Sequence, residues 1–346
     1  MRTSIRQVAE RAGVSPMTVS NVLRNRADKM SEGTRRRVLQ AIHDLDYVPV
    51  RTAAQNRHIT TNALGVVFFQ ELDANVGYPT FFGMCSRARH LDHDLTVFLR
   101  SEPDWVKPGT EAQFLDRRCD GFIFVGGSRR EISEVLIRNR IPVVECFSAS
   151  PPPGAAHVVS DNAGGMCQAV RHLARQGHAR IAHLAGARAN SEAAERREGF
   201  QDAVRALGLP ACAGWVVQTD TWGDLWGFDK DDAGVLTRPA VEAVLKLIAE
   251  EGVTAVVCAN DLFALALWRM AEERGLRVPE DLSITGVDNI TEGALRGLTS
   301  IAQPFTRIGH AAVDAIIALL GGGDAAEVSC VLPVELIERR SVAAPR

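Results

Sequence analysis

The 346-residue sequence predicts an all-α helix–turn–helix head joined to an α/β body of two lobes, each a doubly wound parallel sheet. Three observations carry this. The first 45 residues show helical periodicity, with capping residues in register. Residues 49–62 are polar and hold no core pattern. From Ala63 onward, short apolar runs alternate with amphipathic stretches in two successive series. The expected domains are a head at 1–48, a linker at 49–62 and a body at 63–346.

Ser4 with Gln7 three residues later forms a capping box, and the first helix runs from Ile5 to about Ala12. Ile5, Val8, Ala9 and Ala12 share one face. Gly13 gives the backbone freedom for a turn. Ser15 caps the second helix and Pro16 takes its first position, where a missing N–H costs nothing. Val19, Val22 and Leu23 fall on the inner face; Met17, Thr18, Asn21 and Arg24 fall on the other. Short polar residues facing outward from such a pair suit the DNA major groove. Ser31 caps a third helix to about Leu45, whose stripe Val38, Ile42 and Leu45 closes the head core with Tyr47. Arg35, Arg36 and Arg37 fan across its start, toward phosphates or solvent.

In the body, strands are expected at Leu64–Phe69, Leu95–Leu99, Gly121–Val125 and Pro142–Cys146, with helices at Pro79–Leu91, Thr110–Arg117 and Arg130–Asn139 between them. A Pro/Ala-rich break, Ala149–Ala156, precedes a second series. Its strands are Val158–Ser160, Ile181–Leu184, Trp215–Gln218, Ala255–Cys258 and Ser283–Val287, with helices near 163–175, 193–207, 239–251 and 261–274. Two such halves suggest a bilobed binding fold with a cleft.

Net charge is −3, but residues 1–60 hold 11 Lys+Arg and 5 Asp+Glu, so a basic head precedes an acidic body. That confines any nucleic-acid contact to the head. The seven cysteines are scattered without a Cys-x-x-Cys pair, as expected for reduced, mostly buried thiols in a cytoplasmic protein. Met1 leads directly into the first helix with no apolar signal segment, and no run reaches the roughly 20 apolar residues of a membrane span.

The string V-A-E-R-A-G-V-S-P-M-T-V-S-N-V-L at 8–23, continued by M-S-E-G-T-R-R-R-V-L-Q-A-I-H-D-L-D-Y-V-P at 30–49, strongly resembles the head of the LacI family of bacterial transcription regulators. Further landmarks follow in order: D-N-A-G-G at 161–165, R-Q-G-H-A-R-I-A at 175–182, R-R-E-G-F at 196–200, A-N-D at 259–261, S-I-T-G-V-D-N at 283–289, Q-P-F-T-R-I-G at 303–309 and L-P-V-E-L-I-E-R-R-S at 332–341. The resemblance implies a body like the periplasmic sugar-binding proteins, with three crossovers between lobes, expected near 160, 291 and 326. Lobe 1 would hold 63–160 and 292–325, and lobe 2 would hold 161–291 and 326–341. No heptad tail follows Ser341, so a homodimer is expected.

The resemblance also implies site residues. Ser15, Pro16, Met17, Thr18, Ser20, Asn21 and Arg24 would face operator DNA. Ala53 and Asn56 would lie at the DNA within a hinge helix. There the sequence departs from the family: Val50 replaces the usual Asn, Ala54 the usual Arg, and Asn56 the leucine that wedges the minor groove. Either Asn56 contacts the groove edge, or the register slips and Val50 becomes the wedge.

Ligands of open α/β sheets bind beyond the carboxyl ends of strands. Arg196, Asn260, Asp261 and Asp288 lie there by position, and the family's effector positions fall on Arg196, Asn260 and Asp288. Tyr78 and Phe81, at the start of the first body helix, and Trp222 complete the effector set. Arg196 would donate parallel bonds, Asp288 would accept from hydroxyls and an aromatic ring would stack. Asp261 is expected to cap the helix after it. Asp288 or Asn289 is alternatively a turn residue, Tyr78 and Trp222 are alternatively structural, and Phe82 is expected in the core. Asp161 is expected to order the crossover, and His178 to be a turn histidine.

The sequence contains no Gly-x-Ser-x-Gly elbow, phosphate loop or His-Glu-x-x-His helix. The expectation is therefore a non-enzymatic, cofactor-free, DNA-binding repressor controlled by a small metabolite, a sugar first and a nucleobase or phosphorylated sugar second. A receptor or enzyme of the same bilobed fold with a non-functional head is the alternative.

Overall fold

The computed structural model describes residues 5–23, 31–45, 61–68, 75–99, 113–115, 118–126, 130–188, 190–219 and 233–346. For Leu23, His43 and 233–237 only the backbone is described. The chain divides after Thr61 into two compact units.

In the first unit, α1 (Ile5–Ala12), α2 (Pro16–Leu23) and α3 (Glu32–Asp44) enclose one small core. Val8, Ala9, Ala12, Val19, Val22, Val38 and Ala41 are buried in it, with Ile5, Val14, Ile42 and Leu45 packed around them. These are the positions helical spacing selects, with Ala41 and Val14 added. Gly13 ends α1 at φ +66°, and the Val14 N–H donates back to the Ala9 carbonyl at 2.9 Å. This bond satisfies one of the orphan carbonyls at the helix end. The expected cap at Ser4 and the core role of Tyr47 lie outside the described residues.

The second unit holds two six-stranded sheets. The lobe 1 sheet has the order β11-β5-β4-β3-β1-β2, where β1 is Ala63–Phe68, β2 Asp94–Leu99, β3 Gly121–Val125, β4 Val143–Cys146, β5 Ala156–Ser160 and β11 Cys330–Leu332. The lobe 2 sheet has the order β12-β10-β9-β8-β6-β7, where β6 is Ile181–Ala187, β7 Val216–Thr219, β8 Ala255–Cys258, β9 Ser283–Val287, β10 Thr299–Ala302 and β12 Glu335–Ile337. Among the described residues every pairing is parallel except β10 with β12. Strands β1, β3, β8 and β9 are buried along their whole length, as strands covered on both faces must be.

Helices cover both faces of each sheet. In lobe 1, α4 (Gly77–His90) and α11 (Phe305–Leu320) share one core with the sheet, and α5 (Arg130–Arg138) lies over the other. The second core is aromatic: Phe98, Phe114, Phe122 and Phe124 pack with centroids 5.2–6.2 Å apart. Each ring so buried stabilises by roughly 1.5–3 kcal/mol. In lobe 2, α6 (Asn162–Arg175) and α7 (Ser191–Ala206) cover one face, and α8 (Ala233–Glu251) and α9 (Asp261–Glu272) cover the other. The α6–α7 pair is tight at Gly199, where a Cβ would collide with the Ala163 backbone. The remaining α-helices among the described residues are the short α10 (Thr291–Arg296) and α12 (Ala325–Val328), and one 3-10 turn spans Ala213–Trp215.

Several expectations are corrected. Val158–Ser160 belongs to the first series, since β5 pairs with β4. The second and third crossovers lie at 303–304 and 333–334, not near 291 and 326. Residues 291–302 stay in lobe 2 because β10 pairs with β9, and 326–332 stay in lobe 1 because β11 pairs with β5. The helix expected from 239 begins at Ala233 and carries Pro239 inside it. The helix expected at Thr110–Arg117 lies largely outside the described residues. The cysteines are all free, but only Cys119, Cys146 and Cys258 are buried, while Cys212 is exposed.

Candidate functional site

The head presents α2. Ser15 Oγ accepts from the Thr18 N–H at 3.1 Å and bonds the Thr18 hydroxyl at 2.9 Å, so the cap also fixes Thr18. Ser31 and Thr34 repeat the arrangement on α3. Ser15, Pro16 and Met17 are exposed, Met17 at 69 %, and Thr18, Ser20 and Asn21 are half-buried. Arg35, Arg36 and Arg37 are all exposed on α3. A large thioether held out of a sealed core beside short polar groups forms a surface suited to base edges. Arg24, Ala53 and Asn56 lie outside the described residues, as does Val50.

In the body, both sheets end their strands toward the crossovers. Asp161 caps α6 through the Gly164 N–H at 2.8 Å, and its own N–H bonds the Leu332 carbonyl, so it orders two passages of the chain at once. The lobes touch where the Ala149 N–H donates to Ser191 Oγ at 3.2 Å.

Arg196 sits in the second turn of α7 and is 3 % exposed. Its Nε donates to Asn162 Oδ1 at 2.8 Å and its Nη1 to the Ala259 carbonyl at 2.7 Å. Two of its donors are thus held by protein rather than open to a ligand. Nη2 lies 3.8 Å from Glu192 Oε1, one helical turn earlier. Burial pushes the Glu192 carboxyl up to about 7; Arg196 opposes that shift and the charge of Asp288 adds to it.

Asn260, not Asp261, caps α9: its Oδ1 accepts from the Phe263 N–H at 2.8 Å. Asp261 is the first helical residue and turns inward. Its carboxylate accepts from the Ile290 N–H at 2.8 Å and the Ser300 hydroxyl at 2.6 Å, tying α9 to the loop after β9 and to β10. Burial, with Asp288 second, raises its pKa to about 8.

Asp288 follows β9 at φ +103°, outside the usual range for a side-chain-bearing residue, and accepts from Gln303 Nε2 at 2.5 Å. Its neighbour Asn289, at φ +56°, accepts from Arg339 Nη2 at 2.6 Å. Both residues therefore form the turn after β9: Asn289 is tied to the C-terminal segment, and Asp288 stands in a strained backbone at the strand end. Strain of this kind costs on the order of 1–3 kcal/mol and clusters at ligand sites.

On lobe 1, Tyr78 is 58 % exposed at the start of α4, and its ring lies 6.5 Å from that of Phe82. Phe82 is not in the core; it is 56 % exposed. Phe81 is half-buried, edge-on to Phe68 at 5.9 Å, and belongs to the lobe 1 core while keeping some surface. Trp222 lies outside the described residues. His178 follows the turn at Gly177 but is 2 % exposed and bonds Thr254, Ser283 and the Ala343 carbonyl, so it anchors the chain end.

The structure thus brings Arg196, Asn260 and Asp288 to the strand ends of lobe 2, and Tyr78 and Phe81 to one end of a lobe 1 helix. It adds Asn162, Glu192 and Gln303, which sequence reasoning missed. Glu192 was legible as the residue four before Arg196 on one helix face. Among the described residues no group of His, Cys, Asp and Glu is placed to hold a metal ion, and no helix is long and apolar enough to cross a membrane.

Comparison with known proteins bears on both units. Residues 4–50 match the head domain of bacterial regulatory proteins of the lacI family, and residues 170–342 match the periplasmic binding protein-like domain. The transcriptional regulator DegA of Bacillus subtilis is 30 % identical over 353 residues, covering 99 % of this chain and 98 % of DegA. A structure of the lac repressor dimer bound to operator and an anti-inducer is 25 % identical with a TM-score of 0.77, covering 99 % of this chain and all of that one. The regulator CelR in complex with cellobiose is 27 % identical with a TM-score of 0.70, covering 98 % of this chain and all of that one. The matches to head and body domains and the relative that covers nearly the whole chain agree: this chain belongs to the LacI family of bacterial transcription regulators.

Proposed function

We propose that this regulator is a cytoplasmic homodimeric repressor that reads operator DNA through α2 of each head and is released by a small metabolite, a sugar in the first instance, bound between the lobes. The observation that carries the reading is its likeness to the operator-bound lac repressor dimer, which covers head and body together. The sugar class is supported by the likeness to CelR with cellobiose.

In this reading Met17, Thr18 and Asn21 touch base edges, with Ser15, Pro16, Ser20 and Arg24 beside them. Asn21 bonds an adenine through its amide, and Met17 covers a thymine methyl. Ala53 and Asn56 contact the DNA from the hinge, where Asn56 bonds the groove edge instead of wedging it, so the duplex bends less than with a leucine. Arg196, Asn260 and Asp288 hold the effector from lobe 2, with Tyr78, Phe81 and Trp222 against it. A ligand that favours one arrangement of the lobes shifts operator affinity by its differential binding to the two arrangements.

The experiment is a fluorescence-anisotropy titration of sugars into the full-length protein on an operator obtained by binding-site selection. A sugar that dissociates the wild-type complex but not the Arg196→Ala complex supports the reading. Release that ignores Arg196→Ala, Asn260→Ala and Asp288→Ala alike overturns the site.

A further inference from the structure

Two buried acceptor oxygens near the lobe 2 strand ends have no hydrogen-bond partner. Glu192 Oε1 is buried and has no hydrogen-bond partner, with Arg196 Nη2 beyond bonding range at 3.8 Å. Gln303 Oε1 is likewise buried and unpartnered, while its Nε2 donates to Asp288. That bond fixes the amide orientation, because the flipped amide would set oxygen against carboxylate. Asp288 is bonded to Gln303 and lies within electrostatic reach of Glu192, whose carboxyl also accepts from Asn162, so both orphaned oxygens belong to groups that interact with a second carboxylate. Glu195 adds a third acid nearby and is held by Asn162 Nδ2 at 2.8 Å. Arg196 is the cation of the group, and its Nε and Nη1 already serve Asn162 and Ala259.

A buried acceptor left unpaired is costly, and two neighbouring carboxylates raise that cost. A neutral hydroxyl brings one donor and leaves the charge uncompensated. A protonated primary amine brings three donors and a positive charge. We propose that the effector carries a protonated amine seated against Glu192, Asp288 and Gln303. The proposal rests on the reading that the effector binds between the lobes.

Amino sugars and open-chain amines share this chemistry, and matched pairs separate them. Full-length wild type, Glu192→Gln and Arg196→Ala are titrated in a thermal-shift assay with glucosamine against glucose, galactosamine against galactose, and putrescine against butanediol. At least one amine should bind wild type about tenfold or more tighter than its neutral partner and lose that margin in Glu192→Gln. A winning amino sugar identifies a sugar frame; winning putrescine identifies an open chain. Because Glu192→Gln keeps the shape and removes a buried charge, it should fold; Glu192→Thr is the second variant should it not. A panel in which no amine outperforms its neutral partner overturns the proposal, as does amine binding that Glu192→Gln leaves unchanged. A neutral sugar that binds wild type and is lost in Arg196→Ala removes the amine but keeps the cleft. Binding indifferent to both variants removes the cleft reading itself.

Discussion

The two lobes share one strand order, differing in the direction of the last strand, and divide the chemistry. Each sheet places its strands in the same order, with β6 to β10 standing where β1 to β5 stand, and β12 standing where β11 does. The residue just after the fourth strand is Phe147 in lobe 1 and Asp288 in lobe 2, and both hold a positive φ, +61° and +103°. Phe147 is buried and packs edge-on against Phe305 at 6.0 Å. Asp288 meets Gln303 and faces the acids of α7 and α9. The same backbone corner is an apolar wall in one lobe and a polar contact in the other. The fold therefore supplies position, and the side chain at each strand end supplies chemistry.

The largest expected effect is on the polar side. Arg196→Ala leaves Asn162, the Ala259 carbonyl and Glu192 without their buried partner and should cost about 3–5 kcal/mol of body stability. Urea denaturation measures it, and an unchanged midpoint would show that lobe 2 does not depend on this network. Phe147→Ala should cost about 3 kcal/mol by the same measurement, with operator release by effector retained. Loss of release without loss of stability would move Phe147 from wall to contact.

Glu192→Gln sharpens the comparison through pH. The groups facing Glu192 are Arg196 and Glu195 on its own helix, Asn162, Asp288 after β9 and Cys146 across the lobes. Its folded pKa, about 7, is raised above the ordinary 4.5. Its contribution is therefore fully present below the ordinary value and is lost as pH rises through about 7. Relative to wild type, Glu192→Gln should gain stability steadily between those values, approaching on the order of 3 kcal/mol above them. Parallel melting curves across pH would show that Arg196 and Asn162 offset the burial of this carboxyl in full.

In the head, Asn21→Ala should weaken operator binding by about 1–3 kcal/mol and relax preference at one base pair per half-site. An unchanged selected motif removes Asn21 from the readout. The smallest effect is expected for Asp288→Gly. Relief of the positive φ offsets the lost Gln303 bond, so stability should stay within about 1 kcal/mol while effector response disappears. A large destabilisation would make Asp288 a structural corner like Phe147.

Much of this molecule was legible in its residues, and the reason is local. Helical spacing with Ser15, Pro16 and Gly13 set the head, because caps and turns act within four residues. The buried strands at 121–125 and 255–258 announced themselves as apolar runs between amphipathic stretches. Asn260 and Asp288 were singled out because open sheets bind ligands at strand ends, and the structure places both just after β8 and β9.

Tertiary structure decided what depends on partners far along the chain. The short strands β10, β11 and β12 do not show in sequence which sheet they join; that is chosen by pairings such as Cys330 with Val158. That choice moved two crossovers and left Gln303 beside Asp288. Asp261 reads locally as a cap, yet it turns inward to Ile290 and Ser300, because a buried carboxylate goes where distant donors converge. Glu192 reads as an ordinary first-turn acid. Only the folded arrangement, which buries it beside Arg196 and Asn162, leaves its Oε1 without a hydrogen-bond partner.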